Sequence, residues 1–148
     1  MRERPVTDEV LDVLDAYSGA VFDKDVDGFM SLYDDEARIF DAWGRWSYEG
    51  ADAWRANIEE WFSSLGTERV RVDFEEVEIT SDVDVATVSA FVTFAGMSSE
   101  GEELRSMQNR ITWVLMSGDD GLRIAHEHTS APAGFEDGKV MLQRPDHE

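Results

Sequence analysis

Val10, Leu11, Val13, Leu14, Tyr17, Val21 and Phe22 recur at three- and four-residue spacing, which gathers apolar side chains on one face of a helix. Thr7 reads as an N-cap, with Asp8 and Glu9 in a first turn that favours negative charge, and the helix is predicted to end near Lys24. Asp25-Val-Asp-Gly28 opens a short second helix carrying Phe29, Met30, Leu32 and Tyr33, and Asp34-Asp-Glu36 breaks it. Ala37 to Trp43 alternates as a strand, with Ile39, Asp41 and Trp43 on one face and Phe40 and Ala42 on the other. Gly44 turns the chain, and Trp46 to Tyr48 is expected to pair back. A third helix, Ala51 to Leu65, carries the stripe Trp54, Ile58, Trp61, Phe62 and Leu65 and stops at Gly66.

Strands follow. Val70, Val72 and Phe74 alternate, and Val77 and Ile79 resume one residue out of phase, so a β-bulge is predicted at Glu75-Glu76. Val83 to Ala95 is apolar on both faces and reads as a central strand. Gly96 to Glu103 is a polar loop, Leu104 to Met116 is a further long strand, Ser117 to Gly121 is a hairpin turn, and Leu122 to Thr129 closes the sheet before Pro132. Three helices cannot cover both faces of such a sheet. The expected class is α+β: a cone-shaped, bent antiparallel sheet with the three N-terminal helices packed on its concave face. Residues 1–148 form one domain, of which 133–148 is a polar tail.

Charge narrows the partners. The chain has 33 acidic and 13 basic residues and a net charge of −20, which opposes binding to a phosphate backbone or an anionic membrane. No apolar run is long enough to span a bilayer, and Met1-Arg-Glu-Arg-Pro5 lacks a hydrophobic signal region, so the cytoplasm is the default location. With no cysteine, disulfides, thiolate metal sites and cysteine nucleophiles are excluded. Five tryptophans and eight phenylalanines are enough to fill a core and wall an apolar pocket.

Candidate chemistry concentrates on a few positions. Asp41, between Ile39 and Trp43 on one strand face, is a carboxylate among apolar neighbours, where desolvation raises its pKa toward a useful base. The competing reading is a strand-end aspartate paired with an arginine or a backbone amide. Tyr17 lies on the apolar stripe of the first helix, either donating into a pocket or satisfied in the core. His126 and His128 are expected to share the interior face with Ile124, leaving Arg123, Glu127 and Thr129 toward solvent. His128 then serves as acid or base and His126 as a ligand contact, with a core histidine as the alternative for one of the pair. Their spacing suits two metal ligands, and since His147 is in the tail a third would have to be Asp41 or another carboxylate; neither a metal nor a cofactor is expected. Arg110, in the middle of an apolar strand, needs an anion, supplied by Asp41, Glu127 or a ligand carboxylate. Trp43, Trp54 and Ile58 complete the expected pocket wall.

The order of elements, with Tyr17 to Asp41 read without a gap, resembles the nuclear-transport-factor-two-like superfamily, which includes ketosteroid isomerases and SnoaL-like polyketide cyclases. Asn109-Arg-Ile-Thr-Trp113 and Ile124 to Ser130 are more similar to SnoaL-like proteins, and the His-x-His-x-Ser strand resembles the association domain of calmodulin-dependent kinases. The resemblance covers about Val10 to Pro132 and implies an oxyanion-hole role for Tyr17 and a general-base role for Asp41. The strand Leu104 to Met116 lacks the aspartate that the isomerases place beside the tyrosine, so Gln108, Asn109 or Arg110 would have to donate instead. Two functions compete: acid–base catalysis of isomerase, cyclase or dehydratase type on an apolar carbonyl compound, or a non-catalytic ligand-binding or oligomerisation module. The expected partners are a small apolar or anionic ligand and a second copy of the chain in a homodimer.

The acid excess with only two lysines, Lys24 and Lys139, reads as salt adaptation or as plain solubility. Salt adaptation requires the urea-melt midpoint to rise between low and molar KCl as self-repulsion is screened; no gain in stability excludes it.

Overall fold

The structure, a computed structural model, describes residues 5–145. Helix α1 (Val6–Asp23) buries Val10, Val13, Leu14, Tyr17, Ala20 and Val21 along one stripe. It starts one residue before Thr7, because Pro5 takes the N-cap place and its carbonyl accepts from the amides of Asp8 and Glu9. Lys24 ends it in the left-handed region at φ 54°. The Lys24 ammonium donates to the carbonyls of Gly66 (2.8 Å) and Glu68 (3.1 Å), tying this end to a distant connection. Helix α2 (Val26–Met30) is capped by Asp25, whose carboxylate accepts from the Gly28 amide at 3.0 Å. Helix α3 (Ala51–Ser64) turns Trp54, Ile58 and Phe62 inward.

The strands are β1 (Tyr33–Phe40), β2 (Tyr48–Glu49), β3 (Arg69–Ser81), β4 (Val85–Met97), β5 (Glu103–Gly118) and β6 (Gly121–Ser130). Among the described residues they form one sheet in the order β2-β1-β6-β5-β4-β3. The expected α+β class stands, with one refinement: β1 runs parallel to β6, so the sheet is mixed. A parallel neighbour needs a long crossover, and here nearly the whole chain from α3 to β5 lies between the two strands. The loop Asp41–Ser47 carries the chain from β1 to β2, so Asp41 and Trp43 stand just beyond a strand expected to contain them. α1 packs on β3 and β4, α3 packs on β1 and β2, and α2 touches both helices.

Two irregularities shape the sheet. The expected bulge lies in β3, where the pairing with β4 shifts between Glu75 and Glu78 and Glu76 takes φ 52°. A second shift was not expected. Val114 pairs with His126 while its neighbour Leu115 pairs with Ile124, so Ala125 is an extra residue in β6. The β1–β6 pairing breaks at the same place, between Tyr33↔Ile124 and Arg38↔His126.

The tail is folded back. Ala133 bridges to Val140, and the Gln108 amide donates to the Leu142 carbonyl at 2.7 Å, so the tail continues along the β5 edge that β6 vacates after Ser130. Arg144 stacks on the Phe91 ring at 3.5 Å and pairs with Glu76 at 2.8 Å. His147 lies outside the described residues.

Phe29 is the hub of the core, fully buried, with ring centres 5.0 Å from Tyr17, 5.3 Å from Tyr33 and 5.9 Å from Phe62. Phe29→Ala should cost about 3–5 kcal/mol, read from urea melts as a lower midpoint with little change in slope.

Candidate functional site

Between the helices and the sheet lies a cavity of about 340 Å³. Its apolar walls come from Trp54, Ile58 and Trp61 on α3, Phe94 on β4 and Met107 on β5. Its polar groups are Tyr17, Asp41, Asn57, Asn109, Glu127 and Thr129. Trp43 closes one side from the β1–β2 loop and is 44 % exposed. Few polar groups converging in a largely apolar hollow of this size are typical of small-molecule sites.

Glu127 is the group that sequence reasoning missed. It is 1 % exposed and lies in a row with Ile39 on β1 and Trp113 on β5. Its Oε1 accepts from the Tyr33 hydroxyl at 2.5 Å and from the Trp113 indole N–H at 2.9 Å. Burial dominates its titration and pushes the pKa up to about 7; the two donors pull it down, and the charge of Asp41 pushes it up. With Oε1 occupied by two donors, the carboxyl proton belongs on Oε2.

Asp41 is half-buried at the end of β1. Desolvation raises its pKa, against the downward pull of bonds from Thr129 and the amides of Trp43 and Ala42. Thr129 relays order here: its hydroxyl donates to Asp41 Oδ1 at 3.1 Å and accepts from the Ala42 amide at 2.8 Å. Tyr17 is buried, its ring 5.6 Å from both Phe74 and Trp113. Burial raises its phenol pKa well above normal, and the charges of Glu127 and Asp41 raise it further, so it is a hydrogen-bond donor and not a phenolate.

Of the residues expected in the pocket, Tyr17, Asp41, Trp43, Trp54 and Ile58 line the cavity. His126, His128 and Arg110 do not, and the expected orientation of β6 is corrected. The extra residue Ala125 inverts the alternation after Ile124, so Glu127 and Thr129 point inward and both imidazoles point to the convex face. There Phe40 meets the His126 ring at 5.0 Å and the His128 ring at 5.5 Å, and His126 Nδ1 lies 2.7 Å from the Arg38 carbonyl. Arg110 is exposed on the same face and donates to Ser130 Oγ at 3.1 Å, so it needs no buried anion. The strand periodicity at Arg110 puts its neighbour Asn109 in the cavity wall instead, 6 % exposed, with Oδ1 buried and unpartnered among the described residues. No cluster of three or more His, Asp or Glu residues among the described ones is arranged to hold a metal ion.

A bent sheet wrapped over three helices around a pocket defines a class of small α+β cone domains. The SnoaL-like domain model matches residues 10–134, and the chain belongs to that family. Solved structures agree on the fold. An NTF2-like protein of unknown function from Pseudomonas putida is 22 % identical with TM-score 0.81, over 93 % of this chain and 95 % of that one. Aln2 from a Streptomyces species is 17 % identical with TM-score 0.77, over 88 % and 93 %. A protein from Catenulispora acidiphila in complex with S-DNPA is 17 % identical with TM-score 0.70, over 84 % and 92 %. No curated protein matches the chain in sequence. No helix among the described residues is long and apolar enough to cross a membrane.

The raised pKa of Glu127 sets a sign for stability against pH. The folded carboxyl holds its proton up to about pH 7, whereas the ordinary value is 4.5, so its contribution is full below pH 4.5 and is lost as pH rises through 7. Glu127→Gln keeps an acceptor for Tyr33 and Trp113 and removes the titration. Between pH 4.5 and 8, wild type should lose about 3 kcal/mol relative to Glu127→Gln in paired urea melts; parallel curves would show that Glu127 ionises normally.

Proposed function

We propose that this domain binds a small, largely apolar, oxygen-bearing molecule in the cavity and moves a proton on it without a cofactor. Asp41 is the base. It takes a proton from the carbon beside a carbonyl, the electron pair moves onto the carbonyl oxygen, and the Glu127 Oε2 proton neutralises that oxygen as an enol. In an isomerisation Asp41 then returns its proton to another carbon while the enol O–H proton goes back to Glu127. In a dehydration the Asp41 proton leaves with the departing hydroxyl as water, and the enol proton goes back to Glu127. In a cyclisation the enol carbon attacks a second carbonyl of the ligand, whose oxygen takes the Asp41 proton, and Glu127 again recovers the enol proton. Tyr17 donates toward the same oxygen or sets the charge balance between the two carboxylates.

One observation carries this reading: two carboxylates with raised pKa share one mainly apolar cavity. Their environments differ. Asp41, bonded by a hydroxyl and two amides, is the more easily ionised, and Glu127, fully buried, is the readier proton donor at neutral pH. A similar structure in complex with S-DNPA supports occupancy of such folds by a guest. The competing reading, a binding or association module without turnover, is separated by experiment.

Wild type is to be screened against enolisable ketones by hydrogen–deuterium exchange at the carbon beside the carbonyl. Asp41→Asn should lower that exchange at least about 100-fold while ligand affinity stays within about threefold. Ligand binding with no exchange by wild type, together with an ordinary acidic pKa for Asp41 by NMR, would establish the non-catalytic module.

A further inference from the structure

A second hollow, about 590 Å³ and open to solvent, lies outside the cavity, beneath the β1–β2 loop. Asp41 and Trp43 line both hollows and form the boundary between them. The outer cleft differs in character from the rest of the surface. In a chain with 33 acidic residues against 13 basic ones, it is lined by Arg38, Arg45 and His128, with Phe40, Trp43 and Trp46 as ring surfaces. Among the described residues Asp41 is the only carboxylate in its lining, and its charge is already held by Thr129 and two backbone amides.

The arginines show that this is more than chance placement. Arg55, Arg69, Arg71, Arg105, Arg123 and Arg144 each pair with a carboxylate, as does Arg38 with Glu49 at 3.1 Å. Among the described residues Arg45 and Arg110 have no such partner. Arg110 bonds Ser130, whereas Arg45 is held over the Tyr48 ring at 5.3 Å. Stacking on a ring orients a guanidinium and leaves its N–H groups free for a planar anion. Arg38 stacks likewise, 4.6 Å from the centre of Phe40. Trp46 is 99 % exposed, a large apolar surface left in water beside these cations.

We infer that the outer cleft is a carboxylate subsite, and that the molecule bound by this domain is an apolar ring compound whose body fills the cavity and whose acid group passes Trp43 to reach Arg45, with Arg38 and His128 beside it. This rests on the cavity being the ligand site, and it narrows the ligand from neutral carbonyl compounds to carbonyl-bearing aromatic or alicyclic acids. Arg45 acts on affinity by fixing the acid end. It also sets the direction in which the ligand enters, leaving the carbons nearest the boundary opposite Asp41.

The test uses two probes of one shape: 2-acetylnaphthalene and 6-acetyl-2-naphthoate, titrated against the full chain by tryptophan fluorescence. Wild type should bind the acid about fivefold or more tighter than the neutral ketone, the scale of a charge-assisted bond at a partly exposed site. Arg45→Gln should erase most of that ratio and leave the neutral ketone unchanged, and the advantage should shrink in 0.5 M NaCl. Equal affinities in wild type, or an advantage that survives in the Arg45→Gln/Arg38→Gln double variant, would overturn the subsite. The neutral ketone alone reports on the cavity: acid binding with Arg45 dependence but no ketone binding would keep the subsite and discard the cavity reading. No binding of either probe would discard both. Arg45 and Arg38 are surface residues, so circular dichroism of both variants should match wild type.

Discussion

One extra residue in the last strand decides what this protein can do. Strand side chains alternate strictly, so Ala125 transfers every residue after it to the opposite face. Without it, two imidazoles would enter the cavity and Glu127 would sit in water. With it, a carboxyl group is driven between Tyr33 and Trp113, and the two donors that make its burial tolerable come from a strand start and a strand middle far apart in sequence. Thr129, two residues on, then falls where it can hold Asp41. Both carboxylates of the cavity therefore depend on the same backbone irregularity.

The two acids are not equivalent, and the difference is in their partners. Asp41 receives a hydroxyl and two amides at the mouth, which offset part of the desolvation that raises its pKa. Glu127 receives two donors on one oxygen, but complete burial outweighs them. Each charge also raises the cost of the other. Both carboxylates line a cavity whose walls include the apolar side chains of Trp54, Ile58 and Phe94, and proton transfer between a ligand and these acids, as proposed, would take place largely shielded from bulk water.

Much of the fold was legible because its signals are local. Helix stripes such as Val10 to Val21 and Trp54 to Phe62 survive in the structure nearly residue for residue. In β3, apolar residues flank the irregularity, and the slip from Phe74 to Val77 shows directly as a phase change. In β6, Ile124 is the last apolar marker; His126, Glu127, His128 and Thr129 are all polar, so nothing in the pattern says which way they face. Asp41 follows Ile39 in phase with no irregularity between the two, and its side chain lines the cavity. Arg110 was misplaced because a cation amid apolar residues looks buried, although alternation along β5 sends it outward and Asn109 inward.

The charge pattern extends the same logic to the surface. A net charge of −20 makes approach of any anion unfavourable at long range, so an acid can be retained only where local cations outweigh the field. Among the described residues most arginines are neutralised in pairs, and Arg45, at the lip beside Asp41, has no carboxylate partner. An anion held there would lie next to the Asp41 carboxylate and favour its protonated form, so that binding of an acid at the lip would be coupled to the titration of Asp41, opposed by the bonds from Thr129 and the two amides. The loop from Asp41 to Ser47 thus carries both the group that would act on a ligand and the cation that would hold it.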